Sequence, residues 1–108
     1  MTTKRIFVAC PIGEETSDER KRSDRLLKYV IAPVVQDVMN TNPDDVLLRA
    51  DKIAAPGRIT KQIITEIVAC DVMVADVTGD NPNVMYEIGL RQALLRPYIL
   101  MADTKLQS

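Results

Sequence analysis

Histidine is absent from this 108-residue chain, and glycine is scarce, at four residues. Without histidine there is no Cys–His nucleophile pair, and a transition-metal site loses one of its commonest ligands. No Gly-x-Gly-x-x-Gly follows the first apolar run and no Gly-Lys-Ser/Thr loop occurs. Dinucleotide redox chemistry and ATP hydrolysis of those types therefore lack their phosphate cradles. Only two cysteines are present, Cys10 and Cys70, and they show no paired spacing. That excludes a disulfide framework or a cysteine zinc site. A net charge of −1 gives no global attraction to nucleic acid or to a membrane surface. No apolar run is long enough to span a bilayer. Lys4-Arg5 precedes only Ile6 to Cys10, too brief for a signal-peptide core. These absences describe a reduced cytoplasmic protein with no metal, no nucleic acid and no membrane as partner.

What is present is an alternation of short apolar runs with helical patterns. At this length the chain reads as one domain, residues 1–108. Ile6 to Cys10 is a continuous β-branched and apolar run stopped by Pro11 and Gly13, the signature of a strand buried on both faces. Ser17 or Asp18 offers a helix cap, and Leu27, Val30, Ile31, Val34, Val35 and Val38 follow at helical spacing. Pro33 is expected to kink that helix. Asn40 to Asp45 reads as a turn. Val46 to Ala50 forms a second strand, and Pro56-Gly57 opens a second helix with Ile59, Ile63, Ile64 and Ile67 inward. Asp71 to Asp76 is the third strand. A helix capped by Asn81 runs to about Arg96, and Tyr98 to Ala102 is the fourth strand. Met73, Met85 and Met101 read as core residues. The order β-α-β-α-β-α-β predicts an α/β, flavodoxin- or Rossmann-like three-layer fold around a parallel sheet with right-handed crossovers. Its last strand edge is expected to be exposed or covered by a partner subunit.

Every strand of a parallel sheet ends on the same side, so Cys10-Pro11-Ile12-Gly13, Asp51 and Asp76-Val77-Thr78-Gly79 are predicted to surround one cleft. Asn81 suits an N-cap and Pro82 the first helical position. Glu87 then falls in the second turn, with Asn83 one turn back and Arg91 one turn on. Two readings of Glu87 stand. It is a nucleophile, or a stabiliser of a cationic sugar, because cleaving a glycosidic bond develops oxocarbenium character. Alternatively it forms a surface pair with Arg91 worth a few tenths of a kcal/mol. Asp76 either binds a base edge or sugar hydroxyl, or accepts hydrogen bonds from the Thr78-Gly79 turn. Thr78 and Gly79 lie where an anion such as a 5′-phosphate can sit. Arg22 and Arg25 belong to a basic cluster that either pairs with the preceding acids or reaches a phosphate, and Arg58 and Lys61 invite the same two readings. Cys10 reads as buried packing.

The block Asp76-x-Thr78-Gly79-x-Asn81-Pro82-Asn83-Val84-x-Tyr86-Glu87-Ile88-Gly89 resembles the nucleoside 2-deoxyribosyltransferase-like family. The opening Cys10-Pro11-Ile12-Gly13 resembles it too, as does Arg49-Ala50-Asp51-Lys52-Ile53 with Pro56-Gly57-Arg58-Ile59. That family is similar in layout to TIR domains, which also use a helix glutamate in N-glycosidic chemistry. The resemblance implies that Glu87 attacks the anomeric carbon and expels the base. Cys10, Pro11, Ile12, Gly13, Asp51, Asp76, Thr78, Gly79, Asn81, Asn83 and Tyr86 would surround the substrate, a nucleoside or nucleoside monophosphate. It implies no cofactor, and a homodimer or larger assembly. The chain departs from the family in two places. Cys10-Pro11-Ile12 stands where transferases usually carry an aromatic hydroxyl, and four strands are read where the family usually has five. A TIR-like NAD-cleaving effector and a non-catalytic nucleotide-binding domain are the alternative functions.

Overall fold

The computed structural model describes residues 4–55 and 58–103. Four strands, β1 (Ile6–Ala9), β2 (Leu47–Arg49), β3 (Val72–Asp76) and β4 (Tyr98–Met101), form one parallel sheet in the order β2-β1-β3-β4. Ile6 pairs in register with both Leu47 and Val72, and Met73 pairs with Tyr98. The α/β three-layer fold expected from the alternation is the fold observed, in the flavodoxin-like strand order.

The central strand shows why. Successive side chains of a strand point to opposite faces, so an all-apolar run needs a layer on each. Ile6 and Val8 pack with Ile31, Val35 and Val46, under the long first helix. Phe7 and Ala9 pack with Ile63, Ile67, Met73, Ala75, Val84 and Ile88 on the other face. That second layer is α4 (Lys61–Ala69) and α5 (Pro82–Ala93). The chain moves from β1 to β2 in one direction and from β2 through β3 to β4 in the other. A constant crossover hand then forces the connecting helices onto opposite faces.

The long helix is α1 (Asp18–Leu26), a π turn at Leu27–Ile31, and α2 (Ala32–Met39). The disruption expected at Pro33 takes this form. Proline cannot donate to the carbonyl four residues back, and the wider turn before it lets Pro33 sit at the start of a new helical segment. Ile31 and Val35 are buried, whereas Val30, Val34 and Val38 are exposed. The expected apolar stripe is thus wider than the sheet covers. Its outer row flanks an uncovered apolar groove of about 450 Å³ that also includes Val74, Ile99 and Met101.

Four expected details differ. Asn40 does turn the chain, with φ of 51°, but Pro43–Val46 is a helical turn, α3, because the Asn42 side chain accepts from the Asp44 backbone N–H at 3.0 Å. The second main helix starts at Lys61, capped by the Thr60 hydroxyl at 3.2 Å from the Ile63 nitrogen. Pro56 and Gly57, expected to open it, lie outside the described residues. The last helix stops at Ala93 rather than near Arg96, with Leu95 in the left-handed region at φ of 55°. Pro97 disfavours helical geometry at Arg96 and shortens the helix from downstream. Met85 is exposed rather than core, since it lies on the outward face of α5.

Arg91 holds the α4–β3 and α5–β4 corners together. It is fully buried, and its guanidinium donates to the carbonyls of Ile67 (2.9 Å), Asp71 (3.1 Å) and Pro97 (3.0 Å). Arg91→Leu leaves these carbonyls without that donor. It is expected to lower unfolding free energy by about 3 kcal/mol, read from urea denaturation, with Arg91→Lys recovering only part because its donors radiate from one point.

Candidate functional site

The winding direction reverses between β1 and β3, and such a reversal leaves a crevice beyond the carboxyl ends of the two strands. A small cavity of about 50 Å³ sits there, lined by Cys10, Gly13, Asp51, Asn81, Asn83 and Glu87, among others. Ile12 and Arg58 also line it, as do Ala50, Ala54, Ala55, Ile59 and Ile63, which the sequence had not marked as site residues. Ile59 and Ile63 were legible only as the inner side of a helix, and the three alanines carry no chemical signal of their own.

Glu87 reaches this cavity because of its place on α5. Val84, Glu87, Ile88 and Arg91 are the buried residues of that helix, spaced three, four and seven positions from the first. Glu87 therefore occupies a core-stripe position, and only 5% of its surface is exposed. It makes no hydrogen bond or ion pair with any described residue. The surface pair with Arg91 is not formed, because all the Arg91 nitrogens are engaged by backbone carbonyls. Burial alone pushes the Glu87 carboxyl up to about 7. Asn83, one turn back, lines the same cavity. Asn81 caps the helix, its side-chain oxygen accepting from the Asn83 and Val84 nitrogens at 3.0 and 3.2 Å, which leaves its amide N–H groups available.

The first βα turn needs Gly13. Its φ is +57°, and a Cβ there would stand 2.8 Å from the Ser17 hydroxyl and 2.9 Å from a Glu19 oxygen. Cys10 is buried, and burial pushes its thiol up to about 11, so at neutral pH it is an unreactive wall. Arg58 is exposed at the cavity and its side chain pairs with no described residue.

Asp51 lines the cavity in a different electrostatic setting. Its side chain is 7% exposed and accepts from Arg49 Nε (2.6 Å), Arg49 Nη2 (3.0 Å) and Arg20 Nη2 (2.9 Å). Burial raises its carboxyl, but the hydrogen bonds and charge of Arg49, aided by Arg20, outweigh that and lower it overall. Arg49 is buried beside it and also donates to Asp24 at 2.7 Å.

Pro11, Asp76, Thr78, Gly79, Tyr86, Arg22 and Arg25 do not line the cavity. Asp76 is buried at the end of β3, where it accepts from the Thr78 backbone nitrogen at 3.1 Å and from Arg22 Nη1. Arg22 Nη2 donates to the Thr78 hydroxyl at 3.0 Å, and the Asp103 backbone nitrogen donates to the same oxygen at 2.8 Å. The alternative in which Asp76 serves the Thr78-Gly79 turn is the one observed. Arg22 ties α1 to the ends of β3 and β4 rather than standing free for a phosphate. Gly79 takes a φ of 80° in the turn, with open space around it. Pro11 is buried, and its carbonyl accepts from the buried Ser23 hydroxyl. Tyr86 is 51% exposed on the outward face of α5, and Arg25 is exposed on α1. Among the described residues, no three His, Cys, Asp or Glu side chains converge as a metal site, and no helix is long and apolar enough to cross a membrane.

The raised carboxyl has a signed consequence for stability. Glu87 binds its proton more tightly folded than unfolded, so stability falls as pH rises from the ordinary value of 4.5 through about 7. Glu87→Gln removes that fall. Relative to the parent, the variant is expected to gain about 3 kcal/mol between pH about 4 and pH about 8, measured by denaturant titration at each pH. Comparison with models of known protein families and with curated proteins returns no match for this chain, so a functional reading draws on the residues and their geometry.

Proposed function

We propose that this protein cleaves or transfers at the N-glycosidic bond of a nucleoside or nucleoside monophosphate, with Glu87 as nucleophile. One observation carries the reading: a glutamate buried in a helix core stripe, without a partner among the described residues, lines a cavity at the switch point of a parallel sheet. A structural glutamate at such a position is expected to find a hydrogen-bond partner or be replaced by an apolar residue. The resemblance of the Asn81-Pro82-Asn83-Val84-x-Tyr86-Glu87 block to nucleoside 2-deoxyribosyltransferase-like proteins supports the same chemistry.

In the first step a Glu87 carboxylate oxygen bonds to the anomeric carbon. The C–N bond breaks, its electron pair leaves with the base nitrogen, and that nitrogen takes a proton from water. Water then attacks the glycosyl ester, releasing the free sugar and regenerating Glu87. A second base in place of water gives transfer. The enclosed volume suits the reacting part of a sugar, with the base and any 5′-phosphate at the open mouth beside Arg58. The NAD-cleaving alternative uses the same step on a nicotinamide ribosyl bond.

A homo-oligomer belongs to this reading. The exposed row of Val30, Val34 and Val38 beside Ile99 and Met101 supports it, since apolar surface of this kind marks contact sites. A dimer or larger species is expected in light scattering, and Val34→Lys is expected to shift it toward monomer.

Chromatography of nucleosides, deoxynucleotides and NAD incubated with the protein is expected to show a released base. Glu87→Gln should lower that rate at least about 100-fold. Because the nucleophile must be ionised, kcat/KM should rise with pH and level off above about 7. Undiminished cleavage by the folded Gln variant removes Glu87 from the mechanism. Nucleotide binding without cleavage of any substrate leaves a binding domain instead.

A further inference from the structure

The second carboxylate of the cavity has a countable hydrogen-bonding capacity. An ionised carboxylate accepts at about four lone-pair sites. Asp51 spends three of them on guanidinium N–H groups: Oδ1 accepts from Arg49 Nε, and Oδ2 accepts from Arg49 Nη2 and Arg20 Nη2. One site remains, on Oδ1. The two arginines also fix the side chain in one orientation and keep it charged, so the remaining site only accepts, and its position does not drift. A ligand group meeting it must therefore bring an O–H or N–H.

We propose that Asp51 is the specificity-determining residue of this cavity, accepting the 2′-hydroxyl of a ribosyl substrate at Oδ1 and so selecting ribose over 2′-deoxyribose. The proposal rests on the reading of the cavity as a nucleoside site. Asp51 and Glu87 share an enclosed space of about 50 Å³. The 2′-hydroxyl is the sugar hydroxyl closest to the anomeric carbon, so a sugar with that carbon at Glu87 carries it within the cavity that Asp51 also lines. A hydrogen bond to this hydroxyl also strengthens as oxocarbenium character develops, which is how glycosidases commonly use it. A deoxy sugar leaves the Oδ1 site unfilled in a partly dehydrated cavity, and the loss of a hydrogen bond to a charged acceptor discriminates strongly. Arg20 and Arg49 act through Asp51 as positioning residues.

The test separates binding from turnover by working in Glu87→Gln. Adenosine, guanosine, cytidine and uridine are each titrated calorimetrically against their 2′-deoxy counterparts. The ribo form of the base that binds is expected to bind about tenfold or more tightly than its deoxy form. Asp51→Asn in that background should erase the preference. Asp51→Glu retains the charge between both guanidiniums but moves the acceptor by a methylene, and it should also erase it. If the Asn variant does not fold, the Glu variant decides. Equal binding of each ribo and deoxy pair, an undiminished preference in the folded variants, or no nucleoside binding at millimolar concentration overturns the proposal. Glu87-dependent cleavage by the unmutated chain without ribose preference sinks the Asp51 assignment alone. A ribose preference that depends on Asp51, without cleavage, sinks the nucleophile assignment and leaves Asp51 standing.

Discussion

A parallel sheet whose winding reverses between β1 and β3 cannot cover the carboxyl ends of those two strands, and the cavity of this chain depends on that gap. The helices after β1 and β3 leave on opposite faces, so their amino-terminal turns splay apart. Cys10, Ile12 and Gly13 form one lip and Asn81 and Asn83 the other, with Asp51 following β2 alongside. The gap needs no special loop. It follows from strand order, which the apolar run of β1 favours by making it an interior strand, and from crossover hand, which the right-handed twist of strands sets.

Around this gap the chain divides its buried charges into two kinds. Arg22 with Asp76, Arg20 with Asp51, and Arg91 with three carbonyls are compensated, and each joins elements that are separated in sequence. Such groups stay in place because removing one partner strands the other without water. Glu87 is of the other kind. It is buried nearly as deeply as Asp76 and has no partner among the described residues, so the unfavourable free energy of its ionised form is carried by the rest of the fold. Compensated charge is architecture. Uncompensated charge facing a cavity is a candidate for work.

The fold was legible in the sequence because the central strand, buried on both faces, appears as an unbroken apolar run, and four short runs punctuated by helical patterns leave few topologies. The site was legible to the extent that it hung on one element. Asn81, Asn83 and Glu87 follow from helical spacing after a capped turn. Arg22 and Asp76 lie on different elements, and no local pattern announces that they meet, so a substrate role stood open for each beside a local one and their mutual pairing was not among the readings. Arg91 misled for a related reason. Four residues from Glu87 it looked like a surface partner, yet both belong to the inward stripe of α5, where Val84 and Ile88 fix the helix's orientation. Tyr86 follows from the same geometry: its neighbour Glu87 faces inward, so Tyr86 faces out. The breadth of the first helix's apolar stripe was visible, but which half of it the sheet would cover depended on where β4 ends.

The two carboxylates of the cavity show how one small site can hold opposite protonation settings at the same pH. Asp51 gains two guanidinium partners on entering the interior, and these outweigh its desolvation. Glu87 enters with none, and desolvation acts on it unopposed. Exchanging their surroundings would exchange these settings: a clamped Glu87 would have its lone pairs engaged and its carboxyl lowered, and a bare Asp51 would be raised by desolvation and lose its fixed direction. The glycosidic chemistry we propose uses both settings, one group held still to locate the sugar and one left without a protein partner among the described residues to react. The guanidiniums of Arg20 and Arg49 are therefore as much a part of the site as the carboxylate they hold, although neither has to touch the reacting atoms.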